Sequence, residues 1–401
     1  MSRLWDKGQP LDSLIEAYTV GDDPTLDLRL VPYDVAGSKA HARMLASIGV
    51  LSVEELNALL SSLDDVLAAH DEGRFIITTE DEDVHTAIER FLVDSVGAAG
   101  QKIHTARSRN DQVLTALRLW QRDAVQAVRE ALDQAISGFM DFAAKHESVP
   151  LPGYTHLQRA MPSTVARWSL GYASLLRDNA HLLGAADAVV SSSPLGSAAG
   201  YGVPEVLPID REGPAEELGF DSVQLPAEAA QSSRGKGEAT LLFALSEIAG
   251  DLGKWAWDLC LYVTAEFGYF RLPVAFTTGS SIMPQKRNPD VLELTRARAH
   301  GVRATLSEVM AISSSLPSGY HRDLQLLKGP LFRGFDETVA MLEIAKHVMD
   351  GLVVDYAACE AGMSPELHAT EEAYRMVKEG VPFREAYRQV GRSFRGGDDE
   401  G

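Results

Sequence analysis

Cysteine is scarce in this chain. Only Cys260 and Cys359 occur, far apart and without any metal-type spacing. That excludes a disulfide framework, argues against a zinc site and fits a reducing cytoplasm. Long apolar runs are missing as well: no stretch reaches the roughly 20 residues that a membrane-spanning helix needs. The opening Met-Ser-Arg-Leu-Trp-Asp-Lys carries no signal-peptide core. Basic charge is in deficit, with 37 Lys and Arg against 57 Asp and Glu, a formal net charge of −20. Phosphates are bound through basic surface, so this balance disfavours a nucleic-acid or anionic-membrane partner. The acidic excess reads either as an ordinary solvated surface or as adaptation to high salt, where like charges are screened. Repeats and low-complexity tracts are absent apart from an acidic, Gly-rich tail at 396–401, expected to fray. Strand signals are few, and residues 74–79, Arg-Phe-Ile-Ile-Thr-Thr, are the best candidate.

What is present is long helix. Hydrophobic residues make up 45% of 401, enough for a large core. Proline breaks helix interiors, and the proline-free stretches are 101–149, 163–193, 227–272, 290–316 and 331–364. Within them apolar residues recur by threes and fours. One series is Val165, Trp168, Tyr172, Leu175, Leu182, Ala186 and Val189; another is Leu241, Leu245, Ile248, Leu252, Trp255, Leu259 and Tyr262. Such narrow seams pack helix on helix, so the expectation is a mainly α protein built on a bundle of long helices. Shorter amphipathic pieces precede residue 105 and follow residue 355. One covers 51–69, with Ser52 and Glu55 at a capping-box spacing.

Four segments are too polar, and too rich in Gly, Pro, His, Arg and Asn, to be core. His104-Thr105-Ala106-Arg107-Ser108-Arg109-Asn110-Asp111-Gln112 places two arginines before a long helix. It reads as a capping loop with solvated arginines or as a carboxylate-binding loop, since an Arg fork matches a carboxylate. In Gly153-Tyr154-Thr155-His156-Leu157-Gln158 a histidine sits among hydroxyl and amide groups. It can be acid, base or anchor, or merely structural. Residues 277–289, with Gly279-Ser280-Ser281-Ile282-Met283-Pro284-Gln285-Lys286-Arg287-Asn288-Pro289, fit a mobile lid that carries a hydroxyl and a cation. The pattern is no nucleophile elbow. Ser318-Gly319-Tyr320-His321-Arg322-Asp323-Leu324-Gln325-Leu326-Leu327-Lys328 reads as a polar turn or as a source of hydrogen bonds and positive charge. The Gly-rich stretch 194–202 follows no strand and has no Walker lysine, so a nucleotide cradle is disfavoured.

Taken in order, these segments resemble the signature regions of the fumarase/aspartase superfamily. Within it the wording His-Thr-Ala-Arg-Ser-Arg-Asn-Asp-Gln, Met-Pro-Gln-Lys, Tyr-x-Arg-Asp-Leu-Gln and Gly380-Val381-Pro382-Phe383-Arg384-Glu385-Ala386 is similar to the argininosuccinate lyase family, along nearly the whole chain. The resemblance implies long helices between two smaller helical domains, with boundaries expected at 1–105, 106–355 and 356–401. It implies a cytoplasmic homotetramer whose sites combine signature regions from three subunits, and a β-elimination that releases fumarate without metal or organic cofactor. Matched residue by residue, Ser280 is the expected base, with Lys286 stabilising the intermediate. His156 is expected on the acid side, with Glu293 as its carboxylate partner. Ser108, Arg109, Asn110, Thr155, Asn288, Tyr320, Gln325 and Lys328 are expected to bind substrate. The sequence itself leaves open which of Ser280 and His156 is acid and which is base. It also leaves open another fumarate-releasing lyase, such as an adenylosuccinate lyase or a fumarase, a catalytically idle relative, or a helical scaffold.

The chain departs from the family pattern in places. Leu4-Trp5-Asp6-Lys7-Gly8 lacks the usual Gly-Gly-Arg-Phe, and Gln231-Ser232-Ser233-Arg234-Gly235-Lys236 replaces Ser-Asp-Arg-Asp. His321 stands where asparagine is common, and the C-terminal part is short. The family's early substrate-contacting serine has no clear counterpart; Asp23 and Thr19 fall nearest.

Overall fold

The computed structural model describes residues 12–394. The opening segment 4–8 and the tail 396–401 lie outside the described residues. Helices dominate, as the proline spacing predicts. Ser13–Val20 (α1), Val31–Ser47 (α2), Val53–Asp71 (α3) and Val84–Val96 (α4) come first. Five long helices follow: Arg109–Lys145 (α5), Val165–Val189 (α6), Lys236–Tyr262 (α7), Asp290–Ser313 (α8) and Lys328–Gly351 (α9). Ala369–Lys378 (α10) and Phe383–Phe394 (α11) end the described chain. Each long helix occupies an expected proline-free stretch. α9 starts earlier and takes Pro330 into its first turn, where a missing N–H is harmless. It stops at Gly351, short of the permitted 364, where the chain is squeezed against Phe276. A Cβ on Gly351 would lie 2.6 Å from that ring.

The chain divides into two compact units. The first holds Met1–Val128, Leu182–Leu245 and Val302–Asp336; the second holds Arg129–His181, Ser246–Gly301 and Glu337–Gly401. In the first, Trp120 of α5 meets Phe332 and Phe335 of α9 edge-on, with ring centroids 4.4 and 5.3 Å apart. Gly334 lets α9 approach α7 so closely that a Cβ would collide with Leu242. The capping box of α3 forms as read from the sequence, with Ser52 Oγ accepting from Glu55 N and Glu55 Oε2 from Ser52 N. In the second, Trp255 of α7 is fully buried against Phe139 of α5. Ser169 of α6 donates to the Phe139 carbonyl at 2.6 Å, and Asn179 donates to Asp251 at 2.9 Å.

The two apolar seams fare differently. On α7 all seven expected positions are buried. On α6 the buried line is rotated by about one residue and runs through Ser169, Ala173, Leu176, Leu183, Ala186 and Val190. The expected Leu175, Leu182 and Val189 are exposed instead. A seven-residue spacing marks an apolar stripe but does not say which of two stripes faces the core.

Residues 74–79 are not a strand. Phe75 and Ile77 are buried and Ile76 is exposed, the alternation that suggested one, yet no neighbouring strand pairs with the segment. The longest sheet instead is an antiparallel hairpin that the sequence reading missed, Pro150–Thr155 (β1) with Gln158–Thr164 (β2). Its three prolines hid it, because proline disfavours a central strand but is tolerated at a two-stranded edge. No described helix is long and apolar enough to cross a membrane. Trp255→Ala should lower unfolding free energy by about 3–5 kcal/mol in denaturant titration, as expected for emptying a buried tryptophan site.

Candidate active site

In the first unit, the loop before α5 and the turn before α9 wall one cavity of about 340 Å³. Ser108 leads the chain into α5: its Oγ accepts from Asn110 N at 3.2 Å and its carbonyl from Gln112 N at 3.1 Å. Asp111, fully buried, accepts backbone N–H bonds from Ser108 (2.9 Å), Gly196 (3.0 Å) and Ala198 (2.8 Å). Its carboxylate therefore pins the Gly-rich segment at 194–202 to the start of α5. Burial pushes the Asp111 carboxyl up to about 6 despite those three bonds.

Ser108, Arg109, Asn110, Tyr320, Gln325 and Lys328, six of the expected substrate-binding residues, all line this cavity. Their states differ. The Arg109 guanidinium pairs with Glu82 (3.1 Å) and with Asp83. It is therefore committed to the wall, where the sequence suggested a free fork. Gln325 Nε2 donates to the carbonyls of Thr19 (3.0 Å) and Val20 (3.1 Å). Lys328 is buried, with its ammonium 2.5 Å from Asp27 and 2.9 Å from Asp23. Burial works to lower the Lys328 ammonium, but Asp27 and Asp23 prevail and hold it above its ordinary value.

Sequence reasoning missed several residues of the same cavity: Asp27, Asp83, His85 and Arg234. The signal was present in Asp81-Glu82-Asp83-Val84-His85, an acidic run with a histidine at the head of α4. His85 Nδ1 is hydrogen-bonded to buried Asp34. Burial opposes the imidazolium, yet Asp34 and Asp83 raise it above the usual histidine range. His85 Nε2 and Arg234 Nε are buried and have no hydrogen-bond partner among the described residues. The cavity thus gathers opposed charges on buried and half-buried side chains, the environment suited to a ligand with both carboxylate and cationic groups.

The remaining expected residues belong to the second unit. His156 and Leu157 form the two-residue turn of the β1–β2 hairpin, between paired Thr155 and Gln158. Both have positive φ, 54° and 58°. That turn geometry favours Asn-Gly, so a histidine and a leucine are held there under strain. Thr155, His156 and Leu157 are exposed. Thr278–Gly279 (β3) pairs antiparallel with Arg287–Asn288 (β4), closing the serine loop at its base. Ser280 Oγ accepts N–H bonds from Ile282 (3.3 Å) and Met283 (3.1 Å). Two donors on one hydroxyl oxygen favour its anionic form, as general-base work requires. Lys286 is exposed on the same loop, and Asn288 Nδ2 donates to Thr278 Oγ1 and the Gly279 carbonyl, each at 3.4 Å. Glu293 is exposed on the first turn of α8 and forms no ion pair with His156 among the described residues. No described cluster of His, Cys, Asp or Glu is arranged to hold a metal.

Comparison with known proteins shows the family and the fold. Residues 7–304 match the sequence family described as Lyase. The chain is 48% identical to an argininosuccinate lyase of Sorangium cellulosum, over 97% of this chain and 90% of that protein. It is 43% identical to one of Thermotoga neapolitana, over 98% of each. The chain belongs to the argininosuccinate lyase family. Among solved structures it is similar to EDDS lyase in complex with formate, at 25% identity and TM-score 0.81, covering 96% of this chain and 76% of that one. Class II fumarase from Schistosoma mansoni shares the fold at 16% identity and TM-score 0.75, covering 94% of this chain and 91% of that one. The fold of this family is therefore mainly α with long helices, as the sequence predicted.

Strain at the histidine turn can be measured. Leu157→Gly should raise unfolding free energy by about 0.5–1 kcal/mol by relieving a left-handed leucine. A loss of stability instead would show that the Leu157 side chain packs against another chain.

Proposed function

We propose that this protein cleaves argininosuccinate reversibly into arginine and fumarate by acid/base β-elimination. The observation that carries the reading is the 48% identity to an argininosuccinate lyase over 97% of the chain, together with the cavity lined by Ser108, Arg109, Asn110, Tyr320, Gln325 and Lys328. A base removes a proton from the carbon next to a carboxylate. That carboxylate takes up charge as an aci-carboxylate, and an acid protonates the departing guanidino nitrogen. We assign the base to Ser280, whose Oγ already accepts two backbone N–H bonds. Lys286 on the same loop stabilises the carboxylate charge. His156 serves the acid side with Glu293 as its partner. Ser108, Asn110, Thr155, Asn288, Tyr320, Gln325 and Lys328 bind the substrate's carboxylates and amino-acid end, and Arg109 holds the cavity wall as well as binding.

We further propose a cytoplasmic homotetramer in which each site is shared between subunits. The binding residues around Lys328 belong to the first unit, whereas exposed His156 and half-buried Ser280 belong to the second. Large apolar side chains are also exposed on the long helices, among them Leu175, Leu182, Phe243, Trp257 and Met310. Solvent-facing stripes of this kind are covered when helices of different subunits pack. In this proposal residues 1–105, 106–355 and 356–401 form the three parts of each subunit.

The deciding assay is fumarate release, followed by absorbance, from argininosuccinate, adenylosuccinate and malate. Argininosuccinate alone should turn over. Ser280→Ala should lower kcat at least about 10²-fold while leaving substrate binding nearly intact. Near-normal activity in that variant would remove Ser280 from the base role. Light scattering should give four chains per particle, and a fully active monomer would contradict the shared site.

A further inference from the structure

We propose that the second unit carries a ligand site behind the serine loop, for a small amphiphilic anion, a carboxylate on an apolar body, whose occupancy pins the loop and slows turnover. The binding stands on the cavity alone; the effect on turnover rests on the reading of Ser280 as the base. A cavity of about 610 Å³ opens between the end of α7 and the base of the loop. It is larger than the one around Lys328 and of a size that suits small molecules. Both ends of the loop wall it: Val274 and Thr277 where the chain enters β3, Arg287 and Pro289 where it leaves through β4. Arg271 and Val353, paired in a short antiparallel ladder, close another side. Every lining residue belongs to the second unit.

Successive side chains of a strand point to opposite faces. Asn288 turns to Thr278 Oγ1 on one face of the β3–β4 ladder, and its neighbour Arg287 lines the cavity on the other. A ligand here meets the loop from the side opposite Asn288. Most polar groups around the cavity are already used. Thr277 Oγ1 donates to the Val274 carbonyl at 2.9 Å, and Thr264 Oγ1 donates to the Leu261 carbonyl at 2.7 Å. The last carbonyls of α7 are likewise covered, Leu259 by Val263 N and Leu261 by Thr264 N. Two guanidinium groups remain. Arg287 is exposed and has no ion pair or side-chain hydrogen bond among the described residues. Arg271 meets Asp355 at 3.7 Å, too far for a hydrogen bond. No carboxylate among the described residues lines the cavity, in a chain of net charge −20. Two such cations favour an anion, and an Arg fork matches a carboxylate. The rest of the lining, chiefly Cys260, Val263, Ala265, Leu272, Pro273 and Val353, suits a hydrocarbon body. An anion held by Arg271 and Arg287 together joins the wall to the loop, and Ser280 is the next residue after β3.

The test uses the full chain with decanoate, and with decylammonium and acetate as probes that lack the negative charge or the apolar body. Cys260 reports occupancy directly, because it is half-buried in the cavity wall whereas Cys359 is fully buried elsewhere. Burial holds the Cys260 thiol above its ordinary value, so alkylation by iodoacetamide is run at alkaline pH and read by mass spectrometry. Decanoate should protect Cys260 and bind at least about tenfold more tightly than either control probe. Arg271→Gln, on an exposed side chain outside the loop, should weaken decanoate binding about tenfold and leave turnover without decanoate unchanged. Saturating decanoate should lower kcat for argininosuccinate about fivefold or more at unchanged KM. Equal affinity for decylammonium, or unaltered decanoate affinity in Arg271→Gln, would overturn the site. A raised KM with kcat unchanged would put decanoate in the substrate cavity and overturn it as well. Binding that leaves kcat untouched would strike the pinning of the loop. Protein that binds decanoate as expected yet releases no fumarate from argininosuccinate would refute the functional reading and leave the ligand site standing.

Discussion

A buried ammonium group organises the ligand cavity. Lys328 stands at the first residue of α9, removed from water, and a charge in that position is tolerated only beside opposite charge. Asp27 supplies it from 301 residues away in the chain. The pairing fixes the N-terminal segment against α9, and the second oxygen of Asp27 accepts Val84 N, which brings in the head of α4. Gln325 repeats the connection one turn earlier through Thr19 and Val20. The cavity exists because these three stretches converge on one cation. Removing Asp27 would leave that cation with Asp23 alone of its two carboxylate partners and strike the binding site and the local fold together.

Much of this was legible in the sequence. Helix extents followed from proline spacing, since a missing N–H and a ring clash act locally and need no knowledge of partners. Six expected binding residues came together in one cavity because their motifs sit at helix starts, where the chain must turn. What sequence could not supply was the partner of each charge. Arg109 looked free because Glu82 and Asp83, its partners, lie more than 25 residues earlier. Asp27 looked like an ordinary surface acid in an acidic protein. The false strand at 74–79 and the rotated seam of α6 share a cause. Periodicity reports that one face is apolar, whereas the neighbour that covers it is decided by tertiary packing.

The two units hold different kinds of chemistry. Around Lys328, charges are matched and mostly saturated, which suits tight recognition of a charged ligand with little rearrangement. At the hairpin turn and the serine loop, backbone conformation does the positioning instead. A two-residue turn with both φ values positive leaves His156 few options beyond its side-chain torsions. A pair of amide donors gives Ser280 Oγ a fixed electrostatic environment before any substrate arrives. Both devices act through the main chain, so they depend little on the identity of neighbouring side chains.

The exposed stripe on α6 has a geometric corollary. Half-buried Trp168 and exposed Leu175, Leu182 and Val189 recur at intervals of seven, whereas an undistorted helix drifts by about 20° over that interval. A helix laid along such a stripe keeps contact only by winding around it with left-handed sense, at a crossing angle near about 20°. The hand and pitch of any superhelix formed there are thus written into the spacing of four residues.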